Sequence, residues 1–172
     1  KGERPAICAD INIDLAVHAF EYGGVKPEQI VKTTDVAEAS KAIAEGKYVA
    51  TNDSSLVTKT PEIDVVVDVT GVPDVGARIA LDAIAAKKHI IMMNVESDVV
   101  IGPYLNKLAQ EAGVVYTGTN GDEPGAVMEL YDFATAIGLN VEVIGKGKNN
   151  RLDRACNPDT VLEEATRRKM SP

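Results

Sequence analysis

Apolar positions along this chain switch between two periods. Pro5–Ala9, Ile63–Thr70, His89–Met93, Val114–Thr117 and Asn140–Ile144 are short runs rich in β-branched and aliphatic residues, and Tyr48–Thr51 is a further short candidate. Between these runs the apolar residues recur at three- and four-residue spacing, which gathers them on one face of a helix. Ile13, Val17 and Phe20 share such a face in Asn12–Tyr22, and Gly23-Gly24 ends it. Asp35 stands as an N-cap before Val36, Ala39 and Ile43, and Gly46 stops that helix. Asp53–Thr58 reads as one or two helical turns. Longer helices are predicted over Pro73–Lys87, where Pro73 suits a first turn, over Asp98–Ala112 with Gly113 as C-cap, and over Pro124–Ile137.

Ile63–Thr70 reads IDVVVDVT, apolar on both faces, as a strand covered from both sides must be. Strand, helix, strand in repetition predicts an α/β fold with a doubly wound, mainly parallel, Rossmann-like sheet and helices on both faces. Such a fold opens on a strand, a Gly-rich turn and a helix that cradle a pyrophosphate. No G-x-G-x-x-G occurs in this chain. It opens instead on a strand ending at Asp10, as the second strand of such a fold does, where the acid bonds an adenosine ribose. The first βα unit is therefore expected upstream. In the usual strand order 3-2-1-4-5-6 it belongs between Pro5–Ala9 and Ile63–Thr70. Asp10 as a cap for the following helix is the competing reading. Residues 1–145 are read as a partial dinucleotide-binding domain and 146–172 as a linker, with a polar helix over Thr160–Lys169.

Composition narrows the function. The 172 residues carry a net charge of −8, which gives no reason to expect a nucleic acid or an anionic membrane as partner. No apolar run approaches the roughly 20 residues of a membrane span. Cys8 and Cys156 make no disulfide framework, so a reducing cytoplasm is the expected setting. With His18 and His89 they make no metal-ligand spacing. Cys8, inside a strand, reads as a small core residue.

Candidate chemistry collects where strands end. Thr70-Gly71 closes a central strand: the glycine lets a ligand lie against backbone and the hydroxyl can bond it, or the turn simply needs Gly. Asn94 follows the next strand, and its amide suits a ribose hydroxyl or a carboxamide; Glu96, near it, is either a ligand contact or a helix-dipole partner. Gly121-Asp122-Glu123-Pro124 precedes a helix whose free N–H groups would face a nicotinamide or an oxyanion, with one acid as base or hydroxyl acceptor, or with both acids merely stabilising the helix start. Lys146-Gly147-Lys148 follows the last strand and reads as an anion site or proton donor, or as a solvated basic loop.

The segments HIIMMNVESD, VVYTGTNGDEPGAVMELYDFATAIG and VEVIGKGKNN resemble the homoserine dehydrogenase-like family, and within it the branch with a C-terminal SAF domain that includes deoxyxylulose-phosphate-reductoisomerase-like oxidoreductases. The resemblance runs from Pro5 to Pro172. It implies a Gly-rich turn upstream, a substrate and dimerisation domain downstream, a homo-oligomer, and hydride transfer between NAD or NADP and a small carbonyl or hydroxy metabolite. It also matches Asn94 to a cofactor-binding asparagine. Authentic homoserine dehydrogenases carry Asn-Lys where this chain has Asn94-Val95, which argues against homoserine as substrate. Asp10, Thr70, Gly71, Asn94, Glu96, Gly121 and Pro124 are thus the expected cofactor contacts, with NAD favoured over NADP because Asp10 would repel a 2′-phosphate. Asp122, Glu123, Lys146 and Lys148 are the expected catalytic residues, acting on an anionic small molecule. A non-catalytic dinucleotide-sensing or assembly module and a different ligand on the same sheet, such as coenzyme A, are the competing functions. The paired lysines and the acidic turn favour the enzyme.

Overall fold

Strands and helices alternate in the computed structural model, which describes residues 3–120, 123–147 and 153–167. The chain divides into two units, Lys1–Leu130 and Tyr131–Pro172. The first holds β1 (Ile7–Ala9), α1 (Ile13–Tyr22), β2 (Ile30–Lys32), α2 (Val36–Ala44), β3 (Tyr48–Thr51), α3 (Ser55–Lys59), β4 (Val65–Asp68), α4 (Pro73–Ala85), β5 (His89–Met92), α5 (Val95–Ala112) and β6 (Tyr116–Gly118). α6 (Glu123–Ala136) begins in it, and α7 (Pro158–Arg167) belongs to the second unit.

All strands pair in parallel, in two three-stranded sheets rather than the single sheet expected. The first runs β1-β3-β2 and the second β4-β5-β6. β1, β2, β4 and β6 each have one neighbour, so four parallel edges stay unpaired among the described residues, those of β1 and β4 among them. The fold is Rossmann-like, with α3 packing against both β1 and α4.

Side-chain alternation explains how the first sheet is covered. Tyr48 and Ala50 point to one face of β3 and Val49 and Thr51 to the other. The Phe20 ring of α1 lies 5.2 Å from that of Tyr48, while Ala39 and Ala42 of α2 and Leu56 of α3 bury Val49 on the opposite face. In the second sheet Val66, Ile90 and Met92 share a core with Ala80, Ala83 and Ile84 of α4 and Leu105 and Ala109 of α5. The expected cover of both faces does not extend here: Val65, Val67 and Val115 stay exposed.

Two other expectations are corrected, and one strand had not been anticipated. Ile30–Lys32 is a strand, too short to show a period of its own. Asn140–Ile144 is not one: its β-branched residues suggested it, but a strand needs a partner, and Val143 is 86% exposed. α5 starts at Val95 rather than Asp98, because the Asn94 side chain accepts from the Ser97 N–H and caps the helix.

Candidate functional site

In a parallel sheet every strand ends at the same edge. β4, β5 and β6 therefore deliver three consecutive segments to one edge of their sheet: Val69–Val72 before α4, Met93-Asn94 before α5, and Thr119-Asn120 after β6. Thr70 and Gly71 are exposed there. Gly71 has φ +68°, which L side chains rarely adopt, and a Cβ on it would meet nothing within 4 Å. The glycine is thus required by the backbone turn itself, and its outer side is open.

Asn94 stands beside that turn but faces inward. It is 0% exposed, and its Nδ2 donates to Asp68 Oδ2 at 3.0 Å, Thr70 Oγ1 at 3.1 Å and the Val72 carbonyl at 3.0 Å. Its Oδ1 accepts from Ser97 N at 3.1 Å. The amide expected to meet a cofactor is spent on the protein. Asp68, the buried last residue of β4, also accepts from Thr70 N at 3.0 Å through Oδ1. Sequence reading passed over Asp68. The available signal was a lone carboxylate closing an otherwise aliphatic strand.

A cleft of about 350 Å³ opens between the ends of β5 and β6, lined by Met92, Val95, Asp98, Thr117, Gly118, Thr119, Asn120, Gly125 and Met128. Tyr116 donates its hydroxyl to Asp98 Oδ1 at 2.6 Å. Burial, and then the bond to Asp98, push the Tyr116 hydroxyl well above its usual range, so it remains a protonated donor. Gly102 makes this possible, since a Cβ there would overlap the Asp98 carboxylate. Asp98 and Tyr116 were also missed, because they meet only through the fold.

Asp10 follows β1 in the first sheet. Its Oδ1 accepts from Asn12 N at 2.8 Å, and Asn12, not Asp10, caps α1. Glu96 lies exposed in the first turn of α5. Cys8 is half-buried, and burial, with the charge of Asp10, pushes its thiol up and keeps it unreactive. Gly121, Asp122 and Lys148 lie outside the described residues, and Glu123 and Pro124 are described as the backbone that opens α6. Lys146 belongs to the second unit. Among the described residues no cluster of His, Cys, Asp and Glu forms a metal site, and no helix is long and apolar enough to cross a membrane.

Residues 15–117, more than half of the chain, match the family model described as homoserine dehydrogenase, NAD binding domain. Residues 121–172 match that of oxidoreductase DRL, catalytic domain. No curated protein matches significantly. Among solved structures, a homoserine dehydrogenase from Thiobacillus denitrificans is 18% identical over 77% of this chain and 35% of its own, with a TM-score of 0.46. The yvaA protein of Bacillus subtilis, described as an oxidoreductase, is 19% identical over 78% of this chain and 41% of its own, with a TM-score of 0.41. The chain thus spans between a third and a little over two fifths of the length of these two proteins.

Proposed function

Because the chain belongs to the homoserine dehydrogenase NAD-binding-domain family, we propose that it holds NAD(P) across the carboxyl edge of β4, β5 and β6, in a protein that moves hydride to or from a small carbonyl or hydroxy metabolite. The observation that carries this reading is the open Thr70-Gly71 turn, which ends a strand at that edge and lies inside the matched segment. The edge fits a dinucleotide. The turn offers backbone and a hydroxyl, and the neighbouring cleft has the volume of a ligand pocket, roughly 300–1,000 Å³.

Thr70 and Gly71 contact the cofactor in this reading, Glu96, Gly121 and Pro124 flank it, and Asp10 bonds its adenosine ribose. Asn94 contributes through the shape of the turn, since its amide is buried. Bound NAD(P) supplies or accepts the hydride. Lys146 and Lys148 hold the anionic part of the substrate or give a proton to its oxygen, and Asp122 or Glu123 takes a hydroxyl proton. Their placement in the segment that matches an oxidoreductase catalytic domain supports this assignment. The working form in this reading is a cytoplasmic homo-oligomer of the SAF-domain branch.

Titration calorimetry of the full chain with NADH and NADPH tests the proposal. The wild type binds one of them, and Gly71→Val, strained at positive φ and intruding on the open side, weakens binding at least tenfold while far-UV circular dichroism is unchanged. Absence of binding by the wild type, or unchanged binding by the variant, overturns it.

A further inference from the structure

Asp68 is a carboxylate at 1% exposure closing a strand of valines, on the same face as Val66. Burying a charge costs free energy unless bonds replace its water. No ion pair to Asp68 forms among the described residues; its partners are two N–H donors, Thr70 N on one oxygen and Asn94 Nδ2 on the other. An aliphatic residue would fill this core position without that cost, and buried polar groups of this kind often stabilise less than apolar replacements. What the pair does is mechanical. Asp68 holds the backbone of the Thr70-Gly71 turn, and Asn94 joins Asp68 and that turn to the first turn of α5, which it caps. The packing leaves no slack. A Cβ on Gly76 of α4 would overlap both the Asn94 amide and the Asp68 carboxylate, and the buried Ser97 hydroxyl beside them has no partner.

We infer that Asp68 is a positioning residue which, through Asn94, locks the β4–α4 and β5–α5 turns into the one geometry that presents Thr70-Gly71 to the cofactor. The inference rests on the reading of this edge as the cofactor's. It makes the polarity of the pair more important than either side chain alone. In Asp68→Asn one of the two donors meets an NH2 group. In Asn94→Asp two carboxylates face each other in the core. In the exchanged pair, Asp68→Asn with Asn94→Asp, the new residue 68 accepts from Thr70 N and donates to residue 94, which still accepts from Ser97 N and can accept from the Thr70 hydroxyl, while the Val72 carbonyl loses its donor. The exchange restores the link between positions 68 and 94 with its charge conserved but leaves the Val72 carbonyl facing a carboxylate, so its recovery is partial.

The full chain and the three variants are titrated with the cofactor that the wild type binds, and their stabilities are measured by urea denaturation. Asp68→Asn weakens cofactor binding at least tenfold, and the exchanged pair recovers part of that loss. If Asn94→Asp does not fold, Asp68→Asn and the exchanged pair carry the test. A loss of stability in Asp68→Asn with wild-type affinity in the folded protein, or an exchanged pair that binds no better than Asp68→Asn, overturns the inference and leaves the cofactor site standing. A wild type that binds neither cofactor overturns both.

Discussion

Lys88 shows how much a single side chain can hold away from the site. It precedes β5, is 6% exposed, and its ammonium donates to the Thr60 carbonyl at 2.7 Å and to that of Ile63. It thereby ties the segment entering β4 to the start of β5. Burial pushes the Lys88 pKa down, and the nearby carboxylates of Asp64 and Glu62 only partly oppose this. The unfolded chain therefore binds more protons between the lowered folded value and the unfolded value of about 10.4, and stability rises with pH through that window. Lys88→Met strands two carbonyls and removes the titration. We expect it to be less stable by about 2 kcal/mol at pH 7, with the gap to wild type widening towards pH 10, as read by urea denaturation across that range. A constant gap, or a more stable variant, contradicts this assignment. The same kind of partnership hid part of the candidate site. Thr70-Gly71 was legible because a glycine after an aliphatic strand is a local signal. The inward turn of Asn94 was not, because Asp68, 26 residues away, decides it.

At the level of elements, what sequence revealed follows from what each element needs. α2 needs only its own residues: Asp35 Oδ1 accepts from Glu38 N at 2.8 Å, and Glu38 in turn accepts from the Thr33 hydroxyl at 2.6 Å. This cap is written within three positions and was read correctly. We expect Asp35→Ala to lower stability by about 1 kcal/mol, measured by chemical denaturation; a change under a few tenths would mean that Thr33 and Glu38 close the helix without it. Strands need partners from elsewhere. β2 exists because β3 lies beside it, although its three residues show no pattern alone. Asn140–Ile144 has a strand's composition and no strand to join among the described residues. The helix at Val95 started early for a similar reason, since its cap became visible only with the side chain in place.

For the whole molecule, the acidic balance and the ends of the sheets bear on which cofactor is taken. A net charge of −8 disfavours the added 2′-phosphate monoester of NADP wherever no cation is close. Asp10 is the local expression of that balance. It follows β1, its Oδ1 is held by the Asn12 N–H, and Asn12 itself caps α1, so the carboxylate is not consumed as the helix cap. Among the described residues no bond to its Oδ2 forms, which leaves that oxygen for a ribose hydroxyl. A 2′-phosphate placed there would meet a like charge, worth about 1 kcal/mol in water at 4 Å and more where solvent is thin. Arg4 lies at the other end of the same strand, engaged with the Lys47 carbonyl and stacked over the Tyr48 ring 4.8 Å from its centroid, so it does not offset Asp10. The full chain should therefore bind NADH more tightly than NADPH, and Asp10→Ser should narrow that difference by about tenfold, mostly by improving NADPH. Because Ser can still accept from the Asn12 N–H, the turn into α1 survives, and stability should change by less than about 0.5 kcal/mol. Paired titrations of both cofactors against wild type and variant read the effect. A wild type that prefers NADPH, with a preference Asp10→Ser does not move, would assign Asp10 to the turn alone and remove it from the cofactor site.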